Sequence, residues 1–182
     1  MILQNQTAVI TGASSGIGAA TARELSAAGM NLVLSARRLE HLQQLASDLK
    51  NVEILAGDIT ESTLPQKLID TAVVQFGSCD VVFNNAGLLT VGTIDEISID
   101  RVCDMVRVNV EAAFRMSYTA LKHFQTVGRG HLINTSSVLG TKVRVTAGAY
   151  AGTKFAIEAL SETLGIFRTT VIDLYERQLA IT

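Results

Sequence analysis

Tyr150 and Lys154 lie four positions apart in AGAYAGTKFAIEAL, residues 147–160, a segment with helical spacing. Residues four apart are neighbours on a helix surface, so the phenol and the ammonium would share one face. An unperturbed phenol ionises at a pH of about 10, and a nearby ammonium favours the phenolate. A tyrosine held this way could release and recover a proton. The spacing alone also arises by chance, so other residues must support this interpretation.

Ser137 supplies that support. It directly follows the apolar run GHLINTS at residues 130–136, which is typical of a buried strand. In a doubly wound sheet, chemistry collects at the carboxyl ends of the strands. A serine there could orient a substrate oxygen by hydrogen bonding. Ser137, Tyr150 and Lys154 therefore predict a proton-transfer site.

The elements that must position these residues alternate along the chain. Runs rich in β-branched and aliphatic residues look like strands and are separated by segments of helical periodicity; they cover residues 7–11, 31–36, 52–56, 80–85 and 130–136. Such alternation predicts an α/β fold, a Rossmann-like doubly wound parallel sheet with helices on both faces. Functional residues are then expected directly after each strand.

The turn TGASSGIG, residues 11–18, follows the first predicted strand and opens a helix. Glycines allow a tight turn and a close approach to a pyrophosphate, whose charge the helix N-terminus favours. The residues of this predicted cofactor turn are Gly12, Ser14, Ser15, Gly16, Ile17 and Gly18. A tight turn between a strand and a helix needs glycine in any case, which is the alternative.

Arg37 and Arg38 follow the second predicted strand, where a NAD-specific fold would place an acidic residue. A guanidinium there suits the 2′-phosphate of NADP, so the pair favours NADP(H) over NAD(H). The alternative is a solvated helix start, although positive charge opposes the helix dipole at that end.

Two further turns follow the third and fourth predicted strands. Asp58 and Ile59 come after the third, where a carboxylate could accept from the adenine amino group. Asn85, Ala86 and Gly87 come after the fourth, where small residues would let the chain approach a cofactor closely. The alternatives are that Asp58 caps the helical segment from residue 61 and that the asparagine turn is only a turn.

Five stretches together resemble the classical branch of the short-chain dehydrogenase/reductase family: TGASSGIG, NNAG, Asn109 in VRVNVEAAF, Ser137 in INTSSVLG, and YAGTK. They occur in the family's order and separations between about residue 6 and about residue 164. The resemblance implies an NADP(H)-dependent oxidoreductase that interconverts a small alcohol and a ketone or aldehyde by hydride transfer.

The resemblance also assigns roles to single residues. Tyr150 would be the acid/base, Lys154 would favour the phenolate and bond the nicotinamide ribose, Ser137 would position the substrate oxygen, and Asn109 would hold a water on the proton relay. Along the cofactor would lie Gly12, Ser14, Ile17 and Gly18, with Asp58 at the adenine, Asn85 and Gly87 at the ribose, and Arg37 marking NADP preference. Family members commonly form dimers or tetramers, and the apolar helix after YAGTK (Phe155, Ile157, Ala159, Leu160, Leu164) suggests a homodimer or homotetramer.

Composition narrows the remaining possibilities. The 182 residues suit one domain spanning residues 1–182, with 48% hydrophobic residues and a formal net charge of −2, which argues against a nucleic-acid surface. Cys79 and Cys103 lack zinc spacing, and the three histidines lie apart, so no metal site is expected. Without a basic leader or a long apolar span, the sequence predicts a cytoplasmic protein with no membrane partner.

The end of the sequence departs from the family pattern. Relatives continue into further strands and a Pro-Gly turn, whereas Pro65 is the sole proline here. Residues 165–182 are thus expected to form an atypical or incomplete substrate-binding part, with C-terminal strands short or missing. Residues 166–172 could be a short strand, or residues 171–180 an amphipathic helix. If the short end is real, the alternative function is a non-catalytic NADP-binding regulatory relative. The sequence does not identify the substrate, the physiological direction or the stereochemistry.

Overall fold

A computed structural model describes residues 3–166 and 172–174 of the chain. Its centre is a sheet in which every pairing is parallel, with the strand order β3-β2-β1-β4-β5-β6. The strands are β1 (Thr7–Thr11), β2 (Asn31–Ser35), β3 (Val52–Ile54), β4 (Val81–Asn84), β5 (Gly130–Asn134) and β6 (Ile172–Leu174). The strand order reverses direction at β1 and β4, so the predicted doubly wound parallel sheet is confirmed.

The described helices cover both faces of this sheet. They are α1 (Gly16–Ala27), α2 (Leu39–Ser47), α3 (Leu64–Phe76), α4 (Ile99–Val106), α5 (Ala113–Val127) and α6 (Gly148–Ile166). A π-helical turn, Arg107–Ala112, joins α4 to α5, and a 3₁₀ turn, Val138–Gly140, follows β5. None of the described helices is long and apolar enough to cross a membrane.

Two apolar layers hold the helices to the sheet. Alternate residues of β1 point to opposite faces, so Val9 lies in the layer beneath α3, α5 and α6, and Ile10 lies in the layer beneath α1 and α2. Both side chains are fully buried. Burial on both faces explains why the strands are continuous apolar runs rather than alternating ones.

The apolar residues of α6 divide between core and surface. Ile157, Leu160 and Leu164 are buried in the core of this chain, whereas Phe155 is 42% exposed. The sequence predicts that the apolar residues of this helix contact another subunit. For Ile157, Leu160 and Leu164 this prediction is wrong, because these residues pack against other residues of the same chain.

The C-terminal part contains a short strand, β6, whose Ile172 pairs with Gly130 of β5. Strand β6 lies within residues 171–180, the segment for which an amphipathic helix is the alternative prediction. It shares only residue 172 with the short strand predicted at residues 166–172. The described residues of this strand are Ile172–Leu174. The other residues from 167 to 182 lie outside the described part of the chain.

Candidate active site

The glycine turn between β1 and α1 packs directly against the turn after β4. Gly12 has a φ of +66°, and a Cβ atom there would lie 2.8 Å from the Ala86 Cα. At Gly18, a Cβ atom would lie 2.5 Å from the Gly12 carbonyl oxygen. Both distances are too short for any side chain, so glycine is required at these two positions by the approach of the backbones as well as by the turn.

Thr11 and Asn85 fasten these two turns together. The hydroxyl of Thr11 accepts hydrogen bonds from the backbone N–H groups of Asn85 (2.9 Å) and Ala86 (3.0 Å). The Asn85 side chain donates to the Thr11 carbonyl at 3.1 Å and accepts from the Thr135 hydroxyl at 3.1 Å. The carboxyl ends of β1, β4 and β5 are thereby held in one arrangement.

The two arginines after β2 differ in their contacts. Arg38 donates through Nη2 to the hydroxyls of Ser14 (2.9 Å) and Ser15 (2.8 Å), which joins the end of β2 to the glycine turn. Arg38 also immediately precedes α2, in agreement with the helix-start alternative. Arg37 is exposed and lies near Asp58.

Asp58 lies in a turn of its own. Its Oδ1 accepts from the backbone N–H (3.0 Å) and the hydroxyl (2.8 Å) of Thr60. Hydrogen bonding from the Thr60 N–H, partly opposed by burial and aided by the Thr60 hydroxyl and by Arg37, lowers the pKa of this carboxyl. Helix α3 begins only at Leu64 and is preceded by Thr63, so the alternative that Asp58 caps that helix is wrong.

These turns line one open groove of about 310 Å³ along the carboxyl edge of the sheet. Of the predicted cofactor residues, the groove is lined by Gly12, Ser14, Ser15, Arg37, Arg38, Asp58, Ile59, Asn85, Ala86 and Gly87. Gly16, Ile17 and Gly18 do not line it, because they lie behind the turn in the first residues of α1. Tyr150, Lys154, Ser137 and Asn109 also lie outside its walls.

Lys154 is buried one helical turn after Tyr150 in α6. Its Nζ donates to the Thr135 carbonyl at 2.7 Å and lies 5.8 Å from the centroid of the Tyr150 ring. Burial lowers the pKa of Lys154 to about 8, against a smaller opposing effect of the Glu158 charge. The Tyr150 hydroxyl makes no hydrogen bond within the described part of the chain, which leaves it available to another molecule.

Ser137 begins the 3₁₀ turn that packs against α6. Its Oγ accepts from the Leu139 N–H at 3.2 Å, so the side chain caps the turn. The hydroxyl proton is not used by this contact and remains able to donate.

Asn109 connects the groove to the helix that carries Tyr150 and Lys154. Its side chain accepts from the Leu88 N–H (2.7 Å) and donates to the Leu88 carbonyl (2.8 Å), and Leu88 lines the groove. The amide also donates to the Thr153 hydroxyl at 3.1 Å, and that hydroxyl donates to the Tyr150 carbonyl at 2.7 Å. Asn109 lies in the π-helical turn, a feature that is frequent at functional sites.

Sequence reasoning missed several residues that support this site. The connecting groups are Thr11, Thr135 and Thr153, and beneath the site Asn84, Ser117, Asn134 and Ser161 form a buried hydrogen-bonded network. One feature of the sequence could have predicted this network, namely the asparagine at the end of each of the two apolar strands β4 and β5. The two residues are aligned in register, and Asn84 donates to Asn134 at 3.0 Å.

Comparison with known proteins places the chain in a family. The sequence profile described as short chain dehydrogenase matches residues 6–166. An uncharacterized oxidoreductase of Staphylococcus saprophyticus is 37% identical over 164 residues, which cover 89% of this chain and 67% of that relative.

Solved structures agree with this match. A short chain dehydrogenase/reductase from Burkholderia phymatum, in complex with NAD, has a TM-score of 0.92 and 27% identity, covering 100% of this chain and 68% of that one. An alcohol dehydrogenase from Thermococcus sibiricus, complexed with 5-hydroxy-NADP, has a TM-score of 0.88 and 30% identity, covering 97% of this chain and 77% of that one. The chain therefore belongs to the short-chain dehydrogenase/reductase family of oxidoreductases.

Proposed function

We propose that the protein interconverts an alcohol and a ketone or aldehyde with NADP(H), using Tyr150 as the acid/base. The observation that carries this proposal is the buried ammonium of Lys154, which the Thr135 carbonyl holds 5.8 Å from the centre of the Tyr150 ring. This arrangement places a positive charge beside the phenol whose proton the proposed reaction transfers. A hydroxyl without an internal partner can then exchange that proton with a substrate oxygen.

The groove fits a dinucleotide for a physical reason. Its glycine turn cannot carry side chains at Gly12 and Gly18 and leads directly into helix α1, so a pyrophosphate bound at this turn would lie near the positive end of the helix dipole. Asp58 would accept from the adenine amino group, and Asn85 to Gly87 would contact the ribose. The nicotinamide, when bound, supplies or accepts the hydride.

Each protein group then has one task. Ser137 donates its unused hydroxyl proton to the substrate oxygen and fixes its direction. Tyr150 gives a proton to that oxygen during reduction and takes it back during oxidation. Lys154 stabilises the phenolate, and Asn109 holds the neighbouring helix turn and a water on the route by which the proton returns to solvent.

The preference for NADP(H) rests on Arg37 and Arg38. Arg38 reaches the hydroxyls of Ser14 and Ser15, and Arg37 is exposed at the same end of the groove. Arg37 therefore has a guanidinium available for a 2′-phosphate, and no acidic side chain in these two positions competes for a ribose hydroxyl.

Turnover is tested with Tyr150→Phe. Loss of NADPH absorbance with a panel of small ketones and aldehydes should fall by at least about a hundredfold, while NADPH binding, followed by its fluorescence, changes little. Tyr118→Phe, which alters an exposed phenol on α5, is the matched control and should keep full turnover. Tight NADPH binding without turnover of any substrate by the wild-type protein would refute the enzymatic proposal and indicate the regulatory alternative.

The cofactor preference is tested separately with Arg37→Ala. The ratio of kcat/KM with NADPH to that with NADH should fall by about tenfold or more, because a charge-assisted contact with phosphate is lost. Arg23→Ala, which removes an exposed guanidinium from α1, should leave the ratio unchanged. An equal fall with both cofactors would count against a 2′-phosphate site.

The assembly and the setting of this enzyme are also proposals. We take residues 1–182 as one domain with its own catalytic site, working in the cytoplasm as a homodimer or homotetramer. Phe155 on α6 and Val106 at the end of α4 are exposed apolar side chains on the two helical segments that would meet in such an oligomer. Sedimentation equilibrium measures the assembly, and a monomer at micromolar concentration would contradict it.

A further inference from the structure

Glu158 lies one helical turn beyond Lys154 on α6 and has an unusual environment. Its Oε1 is buried and has no hydrogen-bond partner among the residues that the structure describes. A buried carboxylate oxygen left in this way is costly and requires an explanation. The proposed catalytic roles do not use it, so the explanation lies in what surrounds it.

The turn after Ser137 is built to accept this side chain. A Cβ atom at Gly140 would lie 2.8 Å from the Glu158 Cγ and 3.0 Å from its Oε1. The same Cβ would lie 2.7 Å from the Oγ of Ser136, a second buried oxygen that has no partner within residues 3–166 and 172–174. The carboxylate therefore fills the space that glycine leaves open, and α6 can approach the turn that carries Ser137.

The negative charge of Glu158 raises the pKa of Lys154 and so favours its ammonium form. This effect is smaller than that of burial, which lowers the same pKa. In the described part of the chain, the titratable groups that face Lys154 are Tyr150 and Glu158, both on α6. From the other elements, β5 and its following turn contribute the neutral Thr135 carbonyl, and the π-helical turn contributes the neutral Asn109 amide, which reaches Thr153 beside the lysine.

We propose that Glu158 is a positioning residue, which keeps Lys154 charged inside the protein. Glu158 can itself pack against the turn that follows Ser137, because Gly140 has no side chain to occupy that space. This inference rests on the proposed function, since it takes Lys154 as a member of the active site. It adds a residue beyond the four that the family resemblance supplies, and it explains why an unpaired carboxylate oxygen is buried beside that site.

The test titrates Lys154 directly and needs no turnover. The protein is labelled with ε-¹³C-lysine, the Lys154 signal is assigned by its absence from Lys154→Arg, and its chemical shift is followed with pH. In Glu158→Gln the midpoint should move to lower pH by about half a unit or more, because the glutamine carries no charge. Glu162→Gln, which removes an exposed carboxylate further along α6, is the matched control and should leave the midpoint in place.

A second variant and a second measurement complete the test. Glu158→Asp keeps the charge but is one methylene shorter, so it should give a smaller shift in the same direction and remains informative if the glutamine variant does not fold. The alkaline limb of the kcat/KM profile should move with the midpoint. An unchanged midpoint in both Glu158 variants, or an equal shift in Glu162→Gln, would overturn the proposal. Absence of turnover in the wild-type protein would instead refute the proposed function, while the lysine titration would still report on Glu158.

Discussion

Replacing Lys154 with methionine separates the stability cost of this buried amine from its role in the proposed reaction. Methionine has a similar length and no charge, so it can occupy the same space in α6. The variant should lose turnover, because the phenolate of Tyr150 loses its cation. Its stability relative to the wild-type protein should depend on pH in a way that the structure determines.

The direction follows from the burial of the ammonium. Burial lowers the pKa of Lys154 in the folded protein from 10.5 to about 8, partly opposed by Glu158. The unfolded chain therefore binds this proton more tightly than the folded protein does. Below pH 8 the protonated lysine lowers the unfolding free energy by its full amount. The penalty decreases as the pH rises from the folded value towards the unfolded value. Between about pH 7 and about pH 9.5, this single group should increase the unfolding free energy of the wild-type protein by about 2 kcal/mol.

Urea denaturation at these two pH values measures the effect. The wild-type protein should gain about 2 kcal/mol relative to Lys154→Met on going to the higher pH, since titration of the groups that do not interact with Lys154 cancels in the difference. Loss of the bond to the Thr135 carbonyl also destabilises the variant by about 1–3 kcal/mol, but that contribution does not change with pH. Lys67→Met, at an exposed site on α3, is the control. Parallel stability curves for Lys154→Met and the wild-type protein would refute the argument.

Three further predictions concern packing and the thiols. Gly18→Ala should weaken NADPH binding and destabilise the fold by about 1–3 kcal/mol, because its Cβ would lie 2.5 Å from a carbonyl oxygen of the glycine turn. Gly152→Ala is the control, since a Cβ atom there would meet nothing within 4 Å. Fluorescence titration measures NADPH binding, and urea denaturation measures the stability of both variants. Asn134→Ala should lower the unfolding free energy by about 2–3 kcal/mol, because its hydrogen-bonded partners remain buried; a loss below about 0.5 kcal/mol would contradict this account. In the native protein, Ellman's reagent should label exposed Cys103 at once and leave Cys79 unreacted until unfolding, because burial raises the pKa of the Cys79 thiol to about 12.

The sheet could be predicted closely from the sequence, because strands buried on both faces leave continuous apolar runs. The run at residues 7–11 is strand β1 without a change of boundary. The run at 31–36 is one residue longer than β2 at its end, and the run at 80–85 is one residue longer than β4 at each end. The run at 52–56 is longer than β3, which lies at the edge of the sheet and ends at Ile54. The local sequence pattern is therefore sufficient to predict a strand where nearly all of its residues are buried.

The positions of the candidate site residues followed from short motifs, but their contacts did not. VRVNVEAAF has ordinary helical periodicity, and nothing in it predicts a π-helical turn around Asn109. In that turn the Asn109 side chain makes paired bonds with the backbone of Leu88, which lies 21 residues earlier in the chain. The bond from Lys154 to the Thr135 carbonyl likewise joins separate elements and involves a backbone atom that no side-chain pattern reveals. Tertiary contacts decide these details.

The widened turn at Arg107–Ala112 has a consequence for how this protein could evolve or be engineered. A π-helical turn contains one residue more than an α-helical turn, so removing a residue there would let α4 and α5 merge into one regular helix with a better local hydrogen-bonding pattern. The same deletion would rotate one half of the merged helix by about 100° relative to the other and turn Asn109 away from Leu88. A shorter chain would thus have a more regular helix at this point but would lose the connection between the groove and α6.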